Sequence, residues 1–173
     1  MESNVSHNFF YKNNKNYQIK AAGVLFTKNK NILFQHNTKN NKLVDFGGKV
    51  DNNDTSPLYT ACRELFEESN GAIYNKNNGQ YLTINKLKSI VYNHKYRVIY
   101  IKNSKYLLFC VHFPSYLDIN IDKIGTYEKL DKIDRIVKWI NLNDLQEYKK
   151  NNKLHIRLNN NLVVNKILDS LQF

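Results

Sequence analysis

Residues 63–68, Arg-Glu-Leu-Phe-Glu-Glu, bring three carboxylates and one guanidinium within six positions. On a helix at about 100° per residue, with Arg63 at zero, Glu67 lies near 40°, Glu64 near 100° and Glu68 near 140°. Glu64, Glu67 and Glu68 then share one face. Glu64 and Glu68 are four apart and repel, at a cost of a few tenths of a kcal/mol in an isolated helix. Hard oxygen ligands clustered in this way suit Mg²⁺ or Mn²⁺, whose charge removes the repulsion. Upstream, Gly47-Gly48 lacks side chains, so its backbone can approach an ion or a phosphate closely. A diphosphate bridging ions held there would have its charge neutralised and its phosphorus exposed to an activated water.

Such a face needs a helix docked on a core. Ser56-Pro57 supplies the start, with Ser as N-cap and Pro at the first helical position, and Asn70-Gly71 supplies the stop after about Ser69. Leu58, Ala61, Cys62, Leu65 and Phe66 fall on the opposite side of the wheel, so that side is apolar and buries. Before the helix, residues 19–27 and 31–37 read as two strands of a hairpin turned at Lys28-Asn29-Lys30. After it, residues 89–92, 96–101 and 106–113 are strand-like, 135–140 is a strand, 143–149 a short helix and 160–171 an amphipathic helix. Strands and helices alternate irregularly, which gives an α/β class with a mixed sheet. Residues 1–18 are polar and Asn-rich and form an N-terminal arm or a first irregular strand; residues 19–173 make a single domain.

Length and composition agree with that organisation. The 173 residues are 42% hydrophobic with only six Gly and two Pro, which excludes collagen-like and disordered classes. No apolar run approaches the roughly 20 residues that span a bilayer, and residues 1–20 hold no signal-peptide core, so a soluble protein without membrane contact is expected. Cys62 and Cys110 show no CxxC or His spacing and read as reduced core thiols of a cytoplasmic, intracellular protein. Basic residues exceed acidic ones by 26 to 15, a net charge of +11. That field draws nucleotides and RNA alike. Part of the Lys and Asn excess follows from A/T-rich codons, which lowers its weight. Tyr92, His94, Tyr96 and Arg97 form an aromatic and basic cluster that could stack a base and contact phosphate, although alternate strand positions could equally face core and solvent. His36, His112 and His155 show no ligand spacing.

The segment from Gly48 to Asp54, then eight residues, then Arg63-Glu64-Leu65-Phe66-Glu67-Glu68-Ser69-Asn70-Gly71 resembles the Nudix box, G-x5-E-x7-R-E-U-x-E-E-x-G-U with U apolar. Ala21-Ala22-Gly23-Val24-Leu25-Phe26 and the stretch from Trp139 to Leu145 are similar to the family's first core strand and last strand-to-helix turn. The resemblance implies an α/β/α sandwich with a mixed sheet, and a hydrolase that uses Mg²⁺ or Mn²⁺ to cleave a nucleoside diphosphate-linked small molecule. It implies Glu67 and Glu68 as metal ligands, Glu64 as a further ligand or the general base, the Gly48 carbonyl as completing the shell, and Arg63 as orienting the carboxylates. Some members use a carboxylate from a late loop as base, for which Glu128 is the local candidate; Tyr92, His94 and Arg97 are the candidates for substrate contact. Two departures stand out. Asp54 replaces the family's first Glu with one extra loop residue before Arg63, and Asn70 takes the family's glycine position with Gly71 one late. The positive charge keeps an RNA 5′-end or cap hydrolase open, and the altered spacing keeps open a non-catalytic nucleotide- or RNA-binding module.

Overall fold

The computed structural model describes residues 9–12, 16–94, 96–128 and 133–169. The first described element is a short hairpin of β1 (Phe9–Lys12) and β2 (Asn16–Ile19), Phe9 opposite Ile19, which falls, but for Ile19, in the segment expected to be an arm or a first irregular strand. There follow β3 (Ala21–Lys28), β4 (Asn31–Asn37), β5 (Lys42–Val44), β6 (Phe46–Lys49), α1 (Pro57–Glu68), β7 (Ile73–Asn75), α2 (Ile84–Asn93), β8 (Tyr96–Ile101) and β9 (Tyr106–His112). The chain continues through β10 (Leu117–Ile119), α3 (Ile121–Ile124), β11 (Tyr127–Glu128), β12 (Ile133–Asn141), α4 (Leu145–Lys150) and α5 (Asn161–Asp169). The turn from β3 to β4 holds Asn29 and Lys30 at φ 48° and 60°, the left-handed pair that a tight hairpin requires.

The main sheet runs β11-β12-β4-β3-β9-β8, with β5 also on β4 and β6 also on β3. Among the strands named, β3 and β9 pair in parallel, from Ala21 opposite Tyr106 to Thr27 opposite His112, and the other pairings are antiparallel. Both central strands read as almost unbroken apolar runs because both of their faces are covered. Ala22, Val24 and Phe26 of β3 and Leu107, Phe109 and Val111 of β9 point to one layer, shared with Ala61, Cys62 and Leu65 of α1 and Leu87 and Val91 of α2. The alternate residues Leu25, Leu108 and Cys110 point the other way, towards Leu145 of α4 and Val163, Val164 and Ile167 of α5. Helices on both faces of a mixed sheet make an α/β/α sandwich. The two cysteines lie buried on opposite faces with no disulfide between them, and burial pushes the Cys62 thiol up to about 12.

One expectation is overturned. Residues 89–92, Ser-Ile-Val-Tyr, are not a strand but the last turns of α2. Thr83 caps that helix by accepting from the Lys86 N–H at 3.3 Å, and Leu87 and Val91, four apart, both reach the core. Packing of that stripe outweighs the local β-propensity. The terminal helix is α5 as far as Asp169, and residues 170–171 lie outside the described residues. Among the described residues no helix is long and apolar enough to cross a membrane.

Candidate active site

Helix α1 begins as its sequence requires. Ser56 accepts from the Tyr59 N–H at 3.1 Å and Pro57 occupies the first turn. The loop before it is folded around Asp54, which is 2% exposed. Its Oδ2 accepts from the Asp51 N–H and the Thr60 hydroxyl, both at 2.8 Å. Arg63 donates to Asp54 from Nε at 2.9 Å and from Nη2 at 3.1 Å, a two-pronged contact. The same guanidinium reaches Glu64 Oε1 at 2.9 Å, Glu67 Oε2 at 2.8 Å and the Lys49 carbonyl at 2.9 Å. Hydrogen bonds and charge from these carboxylates raise its pKa still further, so it is a permanent cation that ties loop to helix. At the far end Asn70 and Gly71 both take left-handed φ, 52° and 59°, so Asn accommodates the replacement of the family's glycine.

Asp54 therefore does more than its loop position suggests. Burial raises its pKa, but the hydrogen bonds from Arg63, the Asp51 backbone and Thr60 outweigh it and hold the carboxyl below the usual range. A depressed folded pKa gives stability that is present above the unfolded value of about 3.9 and is lost as pH falls through the folded value. Asp54→Asn is expected to cost about 1–3 kcal/mol at pH 7, because it leaves Arg63 without its main partner. Urea midpoints of the two proteins should converge as the pH is lowered from 5 towards 3; a gap that stays constant would contradict this role.

The carboxylate face meets the glycines. A Cβ added at Gly48 would lie 2.5 Å from the Glu64 carboxylate, so only glycine permits this approach. The Gly47 N–H donates to Glu68 Oε2 at 2.7 Å. Burial, with the Glu64 and Asp45 carboxylates nearby, pushes the Glu68 carboxyl well above the ordinary range, against a Gln35 hydrogen bond and the Arg157 charge. Glu64, Glu67 and Glu68 thus converge with Gly48 on one region, an all-oxygen donor set of the kind hard divalent cations take. They do not enclose a common point as placed. Among the described residues no three acidic, His or Cys side chains do, since Arg63 draws Glu64 and Glu67 to itself and Gly47 engages Glu68. The chemistry of the set and the glycine cradle fit Mg²⁺ or Mn²⁺; a shared ion would require the part-buried Glu64 and Glu67 carboxylates to leave Arg63.

Behind the glycines lies a group that the sequence did not reveal. Asp45, fully buried, accepts from the Tyr106 hydroxyl at 2.6 Å and from Arg157 Nε at 2.8 Å. Arg157 also donates to the Gly47 carbonyl at 3.3 Å and lies over the Tyr106 ring at 4.4 Å. The partners are 61 and 112 residues apart, so no local spacing signals them.

A cleft of about 800 Å³ opens beside Gly48. Ile19, Val50, Ile101 and Tyr106 give it apolar walls, and Lys20, Lys49, His155 and Arg157 give it a basic edge. The residues expected to contact substrate do not line it. The cleft meets β8 at its Ile101 end, paired with Tyr106, whereas Arg97 pairs with Cys110, four residues or roughly 13 Å along the strand. Tyr92 is exposed on α2, and His94 ends that helix, its Nδ1 2.8 Å from the Ile90 carbonyl and its ring against Tyr116. Glu128 lies in β11, and its side chain falls outside the described residues.

The family model of the NUDIX domain matches residues 17–160. The chain therefore belongs to the NUDIX family. A solved structure shares the fold, and others are similar to the chain. A bifunctional NMN adenylyltransferase/ADP ribose pyrophosphatase from Francisella tularensis, complexed with AMP and Mn ion, is similar at TM-score 0.52 and 20% identity, over 86% of this chain and 40% of that chain. The chain thus spans well under half of that bifunctional protein. A NUDIX family hydrolase from Clostridium perfringens is similar at TM-score 0.46 and 16% identity, over 88% and 97% of the two chains. An Ap4A hydrolase from C. elegans gives 0.44 and 16%, over 87% and 96%. No curated protein sequence matches the chain.

Proposed function

We propose that the protein is a Mg²⁺- or Mn²⁺-dependent pyrophosphohydrolase that cleaves a nucleoside diphosphate-linked small molecule by attack of water on phosphorus. The observation that carries this reading is the placing of Glu64 against Gly48 and of Glu68 on the Gly47 N–H, with Arg63 holding Glu67 beside Glu64, next to the cleft that Gly48 lines. Glu67 and Glu68, with Glu64 and the Gly48 carbonyl, are the groups that would hold the ion. Bound there, a divalent cation neutralises diphosphate charge and lowers the pKa of a coordinated water. Arg63 keeps the carboxylates in register and restrains them when the ion is absent. Glu64 is the general base we favour, because its carboxylate lies against Gly48 and is part exposed, within reach of a water that a buried group would not meet. The cleft has the size of a pocket for a nucleoside-sized group, and its mixture of apolar wall and basic edge suits a base or sugar followed by phosphates. Two buried cysteines with no disulfide are in keeping with a reducing, cytoplasmic setting.

A panel tests this reading: ADP-ribose, dinucleoside polyphosphates, nucleoside triphosphates, nucleotide sugars, inositol pyrophosphates and capped RNA, each with Mg²⁺, with Mn²⁺ and with EDTA. Turnover of a small nucleotide-linked diphosphate with either metal, none with EDTA, and a shallow dependence on salt are expected. The net charge of +11 favours RNA as the second reading. An RNA substrate that neutralises many lysines would instead bind with a steep salt dependence. No turnover of any member would leave the non-catalytic module.

A further inference from the structure

Resting on the reading that Gly48 and the α1 carboxylates hold the ion, we infer that Arg157 is a positioning residue whose clamp with Asp45 and Tyr106 sets the ion site from behind. The Gly47 peptide is held from two sides. Its N–H donates to the Glu68 carboxylate at 2.7 Å, and its carbonyl accepts from Arg157 at 3.3 Å. Arg157 is in turn held by Asp45 at 2.8 Å and by the Tyr106 ring, and Asp45 by the Tyr106 hydroxyl at 2.6 Å. The packing allows no slack. A Cβ at Gly23 or Gly47 would fall 1.8 or 1.9 Å from the Tyr106 hydroxyl, so both strands carry glycine where that oxygen enters.

Arg157 itself is fixed by the main chain. The Leu43 N–H donates to the Lys153 carbonyl at 2.7 Å and the His155 N–H to the Leu43 carbonyl at 2.9 Å, so residues 153–155 run along β5. A segment from the end of the chain thereby sets the height of the Gly47-Gly48 backbone under Glu64 and Glu68. Groups that support the ligands of a metal in this way typically alter its affinity 10–100-fold when changed. Lysine retains the charge of Arg157, but a single ammonium cannot span Asp45 and the Gly47 carbonyl as the fork does.

Binding of Mn²⁺ to the full-length protein without substrate, followed by the electron paramagnetic resonance signal of the free ion, tests the clamp in Arg157→Lys and in Tyr106→Phe. Arg157→Lys is expected to raise the Mn²⁺ dissociation constant about tenfold. At saturating metal the KM for the best nucleotide of the panel should stay within about twofold, while at a fixed subsaturating Mn²⁺ concentration turnover falls and is restored by more Mn²⁺. Tyr106→Phe, which removes only the hydroxyl on Asp45, should shift the dissociation constant in the same direction by less. A merely structural role would lower the melting temperature and leave the affinity of the folded protein unchanged, which would overturn the inference. A raised KM with Mn²⁺ affinity intact would overturn it too, by making Arg157 a substrate contact. If Arg157→Lys does not fold, Tyr106→Phe decides alone, and an unchanged affinity there counts against the clamp. Glu68→Gln distinguishes the two levels: Mn²⁺ bound by it as by the wild type removes the ion site and the clamp together, whereas weakened binding by Glu68→Gln with intact binding by both clamp variants removes the clamp alone.

Discussion

Glu68→Gln is expected to reduce turnover by about a hundredfold or more while leaving the protein folded. The glutamine keeps the shape and can still accept from the Gly47 N–H, so the packing at the end of α1 survives. On the proposed reading it removes an anionic oxygen from the set that would hold the ion, and metal contributions of several kcal/mol correspond to two or more powers of ten in rate. Asp54→Asn should cost less in turnover than in stability, because Asp54 acts through Arg63 and contacts none of Glu64, Glu67 or Glu68 in the hydrogen bonds of the site. Measured kcat values at saturating metal distinguish the two. Near-normal turnover of Glu68→Gln with metal still required would move the ion elsewhere.

Divalent ions are expected to stabilise the fold as well as activate it. An ion bound only by the native arrangement stabilises by RT ln(1 + [L]/Kd), about 2.7 kcal/mol at a hundredfold excess over Kd. In a domain of this size that raises the melting temperature by about 5–10 °C. Charge repulsion on the face is partly answered without metal, since Arg63 pairs with Glu64 and Glu67. The unfavourable charge is concentrated at Glu68, whose burial beside Glu64 and Asp45 disfavours its ionised form. Replacing Glu64, Glu67 and Glu68 together by Gln should therefore abolish the metal-dependent shift and leave the metal-free protein within about 1 kcal/mol of the wild type, as partly exposed ion pairs contribute little. Equal melting temperatures of the wild type with and without millimolar Mg²⁺ or Mn²⁺, substrate analogue present, would contradict the site.

What could be read in advance was local. Ser56-Pro57, the spacing of Glu64, Glu67 and Glu68, and the apolar stripe opposite them all lie within one helix, where a period of 3.6 converts sequence directly into faces. The central strands were legible for the same reason, as continuous apolar runs. Residues 89–92 misled because Ser-Ile-Val-Tyr has strand propensity, while the evidence for a helix lay in the Thr83 cap and in Leu87, which pairs with Val91 only against the sandwich core. Tyr92, His94 and Arg97 are neighbours in sequence that the fold divides between the end of α2 and the start of β8, and none of them lines the cleft beside Gly48. Asp45, Tyr106 and Arg157 carry no pattern at all, because their meeting depends on β9 lying parallel to β3 and on the segment after α4 returning along β5. Asp54 was placed correctly in the loop, but its burial under Arg63 follows from the turn at Asp51, which only the fold discloses.

Reaction in ¹⁸O-labelled water tests most directly the proposed hydrolysis of a phosphoanhydride by water at the α1 carboxylates. With the best nucleotide-linked diphosphate of the panel and Mn²⁺ or Mg²⁺, mass spectrometry should find one ¹⁸O on a single phosphoryl product, with no product in EDTA and none from the Glu64, Glu67 and Glu68 to Gln variant. Label on a carbon-bound oxygen, or equal product formation by that variant, would contradict the account.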